Sequence, residues 1–167
     1  VCYRMEYDAS FKIDIKKYAE SHSEVKSMNQ LTFEVVFYPT YTRSMQSFIG
    51  LESVFLLRAE AKDVNPRFEI ATKINGKSDP RFRSQQTIYC DDSEGGRKTP
   101  GKWYHIAIVY DGTKSSTKEA YKMYINGVRE TLTPADNSYE DCAPNSSLNL
   151  TDVGGNDKAL LIENRQP

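Results

Sequence analysis

From Leu31 to Tyr38 the chain alternates. Leu31, Phe33, Val35 and Phe37 fall on one face of an extended segment, and Thr32, Glu34, Val36 and Tyr38 on the other. Successive strand side chains point to opposite faces, so this pattern predicts a strand with one face turned to a core. Pro39 lacks the N–H that pairing needs and ends it. Met5 to Asp8 and Phe11 to Ile15 read as earlier strands, and Lys16 to Gln30 as a short helix or loop. Ser47 to Leu51, Val54 to Ala61 and Phe68 to Ile74 read as the next strands, the last ending at a hairpin signal, Asn75-Gly76. Lys77 to Gln86 is polar, with strand character resuming only at Gln86 to Tyr89, and Asp91 to Lys102 is a long charged turn.

Trp103 to Tyr110 carries no formal charge, which predicts a strand covered on both faces. Asp111-Gly112 ends it with turn chemistry. Tyr121 to Ile125 and Val128 to Leu132 are joined by Asn126-Gly127, two residues that tolerate positive φ and so favour a type I′ hairpin turn. Thr133 to Asp157 is irregular, and Lys158 to Ile162 reads as a last strand. Helical periodicity is nowhere sustained for three turns. Many short strands separated by turn signals predict an all-β fold, a two-sheet antiparallel sandwich or jelly roll. The 167 residues fit a single domain, 1–167, able to bury roughly 70% of its unfolded surface.

Charge narrows the partners. There are 22 basic and 23 acidic residues, intermixed, for a net charge of −1. No basic face is indicated, so nucleic acid is not an expected partner. No apolar run approaches the ~20 residues of a membrane span, and the start carries no signal-peptide pattern. Three cysteines leave two arrangements open: a Cys90–Cys142 disulfide with Cys2 left over, or three thiols. Val1 precedes Cys2, whereas a mature lipoprotein starts at its modified cysteine. Asn145-Ser146-Ser147 and Asn149-Leu150-Thr151 fit a glycosylation pattern and read as polar turns.

Trp103-Tyr104-His105-Ile106-Ala107, then Tyr110-Asp111-Gly112, then Tyr124-Ile125-Asn126-Gly127 resembles the laminin-G-like, concanavalin A-like jelly rolls. Leu31-Thr32-Phe33-Glu34-Val35 with Tyr38-Pro39 looks like an early strand of the same family. Phe48-Ile49-Gly50-Leu51-Glu52 with Phe55-Leu56-Leu57-Arg58 is similar to C-terminal domains of surface lipoproteins from Bacteroides-type gut bacteria. The match runs in order from Leu31 to Leu132. The resemblance implies a sandwich whose concave face or rim loops bind carbohydrate, sometimes with calcium, outside the cytoplasm or on the cell surface beside other domains of a larger protein. In the family the motif tryptophan, here Trp103, usually packs inside the sandwich. Trp103, His105, Asp111, Asn126 and Gly127 are thus expected as structural motif residues. Family members usually continue with a further strand that this chain does not show, which points to a missing final strand.

The candidate chemistry is modest. Glucanases of this fold place carboxylates on one strand face as E-x-D-x-x-E, for acid and nucleophile work. Here Glu6-Tyr7-Asp8 supplies the first half, but Phe11 stands at the third carboxylate position. Glu140-Asp141 are adjacent and would face opposite ways on a strand. There is no G-x-S-x-G elbow, and His105 lacks an evident base partner. The chain is expected not to be an enzyme. Asp91, Asp92 and Glu94 offer oxygen ligands to calcium, with Gly96 in sixth place, yet Lys102 stands where a calcium loop needs glutamate. Carbohydrate binding needs rings to stack on sugar faces and planar polar groups to bond hydroxyls. Tyr38 and Tyr41 about Pro39, and Arg81 and Arg83 about Phe82, are the candidates. Arg58, in an apolar strand, needs a buried partner. The expectation is a non-catalytic carbohydrate-binding module. The alternatives are a structural or adhesion module that contacts protein, and a glycoside hydrolase remnant.

Overall fold

In the computed structural model the alternation at Leu31 becomes a strand, Gln30–Phe37, whose Leu31, Phe33, Val35 and Phe37 turn toward the core while Val36 stands 63% exposed. The structure describes residues 10–13, 15–42, 46–51, 54–60, 65–72, 81–92, 98–135, 147–148 and 160–163. In chain order the strands are β1 (Ser10–Ile13), β2 (Gln30–Phe37), β3 (Ser47–Leu51), β4 (Phe55–Glu60), β5 (Arg67–Thr72) and β6 (Arg81–Thr87). They continue with β7 (Tyr104–Asp111), β8 (Tyr121–Ile125), β9 (Val128–Arg129), β10 (Thr133–Pro134) and β11 (Leu160–Glu163). Two short helices, α1 (Ile15–Ser21) and α2 (Thr117–Ala120), and a 3-10 turn at Ser23–Val25 complete the described elements. Ser116 caps α2, its hydroxyl accepting the Glu119 N–H at 3.3 Å, and Ala120 is buried.

Among the described residues the strands form two antiparallel sheets. The larger runs β1-β11-β3-β4-β5-β6-β10 and the smaller β2-β7-β8-β9. This is the expected all-β, two-sheet antiparallel sandwich. Aromatic rings join the sheets. Phe37 of β2 stacks on Phe48 of β3 at 4.4 Å, Phe33 on Phe55 at 4.5 Å, and Tyr104 of β7 meets Phe68 of β5 edge-on at 5.0 Å. Offset and edge-on pairs add specific attraction to the area they bury.

Several expectations change. β7 is covered on one face only: Tyr104, Ile106, Ile108 and Tyr110 are buried, while His105, Ala107 and Val109 are half-exposed. Its lack of charge on the outward face comes from small and apolar residues that the sheet leaves partly open. Arg81–Thr87, which reads as polar, is a full strand. Phe82 and Ser84 point inward, and the Ser84 hydroxyl accepts the Phe68 N–H at 3.1 Å where the β5–β6 register shifts. The Val128 to Leu132 segment pairs only over Val128–Arg129, and Thr133–Pro134 then joins the other sheet against β6. At the hairpin, Asn126 and Gly127 have φ of 52° and 79°, as a type I′ turn requires. The predicted strand Met5 to Asp8, the signal Asn75-Gly76, and Glu140, Asp141 and Cys142 lie outside the described residues.

The outward face of the larger sheet carries a lattice of charge. The β4–β5 register sets Arg58 beside Glu69 and Glu60 beside Arg67, and the β5–β6 register sets Glu69 beside Arg83. Glu69 is buried. It accepts Arg58 Nε at 2.7 Å and Arg83 Nε at 3.1 Å, while Arg83 Nη2 reaches Glu60 at 2.7 Å. Arg58 thus has its structural ion-pair partner. Only 13% of the Arg58 side chain and 16% of Arg83 remain exposed, so loss of Glu69 would strand the Arg58 charge and leave Arg83 with Glu60 alone. Glu69→Ala is expected to destabilise the fold by about 3–5 kcal/mol. Arg67→Ala, at the looser 3.9 Å contact, should change it by no more than about 1 kcal/mol. Urea denaturation of both variants measures the difference.

Asp111 closes β7 by accepting Thr113 Oγ1 at 2.6 Å, Thr113 N at 3.1 Å and Gln30 Nε2 at 3.3 Å. These bonds, the Thr113 hydroxyl's foremost, lower its pKa to about 2. A carboxyl depressed on folding stabilises above its unfolded value, about 3.9, and loses that contribution as pH falls through its folded value. Asp111→Asn should therefore lower stability at neutral pH and flatten the decline between about pH 4 and 2. Urea midpoints taken across that range test it.

Candidate functional site

β2 and β7 run antiparallel with Phe37 opposite Tyr104, so the end of one and the start of the other lie at the same end of the smaller sheet. Tyr38 follows β2 and Trp103 precedes β7. Their rings meet edge to face, with centroids 5.6 Å apart and planes at 63°. Trp103 is 54% exposed, which corrects the expectation that it packs inside the sandwich. The cause is the period of two along the strand: Tyr104 takes the inward position, so Trp103 and His105 turn outward. Asn126, expected from sequence as a turn and structural motif residue, pins this strand start. Its Nδ2 donates to Trp103 O at 3.4 Å, and its Oδ1 accepts the His105 N–H at 2.8 Å.

A second loop closes on the same ring pair. Asp91 Oδ1 accepts the Tyr38 hydroxyl at 2.7 Å and the Gly101 N–H at 3.2 Å. A Cβ on Gly101 would come within 2.9 Å of both Asp91 Oδ1 and the Tyr38 oxygen, so only glycine admits this junction without displacement. The Cys90 N–H donates to Lys98 O at 3.0 Å and the Asp92 N–H to Thr40 O at 2.9 Å, fastening the loop to its neighbours. The buried Tyr104 hydroxyl accepts the Tyr89 N–H at 2.7 Å, and Lys102 Nζ sits 4.2 Å above the Tyr89 ring. Burial pushes the Tyr104 pKa up to about 12. The result is a rim with an exposed tryptophan and a tyrosine held by a carboxylate, with the Lys102 ammonium set over the Tyr89 and Tyr104 rings. Gly101 and Lys102 were not legible as site residues, because nothing local marks a glycine or lysine of a charged turn.

The residues expected to bind ligand do not converge. Tyr38 lies on the rim and Tyr41 is half-buried. Arg81 and Arg83 lie on the outward face of the larger sheet, opposite in sense to the inward Phe82, and Arg83 is held by Glu60 and Glu69. Of the calcium candidates, Asp91 is engaged by Tyr38 and Gly101, and Glu94 lies outside the described residues. Among the described residues no three His, Cys, Asp or Glu side chains come together as a metal site. His105 Nε2 meets Glu34 Oε2 at 3.1 Å on the outward face of the smaller sheet. Cys90 is buried, with Sγ 3.2 Å from Asp92 O; Cys142 is not among the described residues. No helix of the described residues is long and apolar enough to cross a membrane.

The chain belongs to the concanavalin A-like lectin/glucanases superfamily: a laminin-G-like family model of that description matches residues 14–159. Solved structures are similar to it, two of them as follows. One is a native heptameric SAP-like pentraxin from Limulus polyphemus, with TM-score 0.45 and 14% identity over 83% of this chain and 63% of that one. The other, from Bacteroides ovatus, is described as a candidate carbohydrate-binding protein, with TM-score 0.44 and 17% identity over 81% of this chain and 36% of that one. This chain therefore spans less than two thirds of either. No curated protein matches it.

The Tyr38–Asp91 bond raises the Tyr38 pKa above the ordinary tyrosine value, because ionising the phenol would lose its bond to the carboxylate and set two negative charges together. In Asp91→Asn the Tyr38 titration should move down toward pH 10. Alkaline ultraviolet difference titration, with Tyr38→Phe to assign the step, measures it.

Proposed function

We propose that this domain is a non-catalytic carbohydrate-binding module whose site is the rim formed by Trp103, Tyr38 and Asp91. The observation that carries this reading is the exposed Trp103, whose ring meets Tyr38 edge to face and whose main-chain carbonyl Asn126 holds. A rigid indole open to solvent suits the C–H face of a sugar, and a carboxylate beside it suits its hydroxyls. Membership of a superfamily that contains lectins supports the class of ligand. The carboxylates of the larger sheet, Glu60 and Glu69, meet arginines instead of facing each other across a cleft, as a glycosidase pair would. The module acts outside the cytoplasm, within a larger surface protein.

The test is a glycan array run with calcium and with a chelator, on the parent domain and on Trp103→Ala. Binding in both conditions is expected, falling at least about tenfold in the variant. Because Trp103 is exposed, the variant's stability should stay within about 0.5 kcal/mol, checked by thermal melting. Binding lost only with chelator would move the site to the acidic loops. No binding by the folded domain would favour a protein-facing structural module.

A further inference from the structure

We propose that the ligand is an extended glycan chain that runs from the rim along β7, over the outward face of the smaller sheet, and is not a terminal sugar held at the rim alone. This rests on the rim being a carbohydrate site. The strand registers place a continuous track there: Tyr38 beside Trp103, then Val36 opposite His105, then Glu34 opposite Ala107, and Ala107 opposite Tyr124. Trp103, His105 and Ala107 share the outward face in steps of about 7 Å. Ala107, the smallest side chain, forms a low point between Glu34 on β2 and Tyr124 on β8, whose backbones are about 10 Å apart.

The chemistry along the track alternates in the way a sugar chain requires. An apolar ring, Trp103, is followed by two planar polar groups held in place by their own bond, His105 and Glu34 at 3.1 Å, and then by a second ring, Tyr124. The second Glu34 oxygen and His105 Nδ1 have no protein partner among the described residues, so both remain for hydroxyls. Glu34 is 59% exposed and His105 42%. A protein partner fits less well. The apolar residues Val36, Ala107 and Tyr124 are spread over three strands and interrupted by the charged Glu34, Lys122 and Arg129, whereas a protein-binding face carries a contiguous apolar patch.

The probe is an array of neutral and acidic saccharides from one to ten units. The longest binder and its shortest unit are then titrated calorimetrically against the parent domain, Glu34→Ala and Tyr124→Ser. Affinity should rise with chain length, and each variant should lose about tenfold for the long chain while leaving the short unit unchanged. Equal affinity for short and long saccharides, or unaltered chain binding in both variants, overturns the extended site and leaves the rim reading standing. Absence of binding at every length by the folded domain overturns both. Tyr124 is half-buried, so thermal melting accompanies its variant; the exposed Glu34 variant decides alone if that one fails to fold.

Discussion

Burial of Tyr104 is the constraint on which the site depends. Its ring fills the space between Phe37 and Phe68, where the two sheets meet, and its hydroxyl has to find a partner there. The Tyr89 N–H provides one, and the loop that carries Asp91 is drawn to the end of β7 as a result. The same burial sets the phase of the strand. With Tyr104 inward, Trp103 has no inward position to take, and it emerges beside Tyr38. One hydrophobic contact thereby fixes the direction of the tryptophan and the approach of the carboxylate.

The outward faces of the two sheets differ in a way that bears on function. On the larger sheet, arginines and glutamates from three adjacent strands satisfy one another almost completely. Such a lattice is costly to break and leaves little bonding capacity for a ligand. On the smaller sheet the outward residues of β2 and β7 are mostly apolar, small or singly paired, and Val36 and Glu34 are more than half exposed. Arginine in a β sequence is a natural first guess for a sugar contact. Here its partners, two residues of neighbouring strands far away in sequence, commit Arg83 to the fold.

Much of the architecture was legible in local pattern. The alternation at Leu31–Phe37, the strand Ser47–Leu51 and the Asn126-Gly127 turn follow from side-chain period and backbone sterics, which act within a few residues. Strand β6 was not legible. Its outward Arg81, Arg83 and Gln85 give only a polar segment, because the carboxylates that pair with Arg83 come from β4 and β5 and a single-segment pattern does not contain them. The same limit applies to β7, where lack of charge resembles two-sided burial until the neighbouring layers are known.

By itself the sequence determined the all-β class, most of the strands and the hairpin turn, since these rest on interactions between near neighbours in the chain. Only the tertiary structure decided which residues make the candidate site. Tyr38, Asp91, Gly101, Trp103 and Asn126 are brought together by strand register, by the phase that Tyr104 imposes and by one close approach that glycine permits. Those are long-range packing constraints, and no local spacing encodes them.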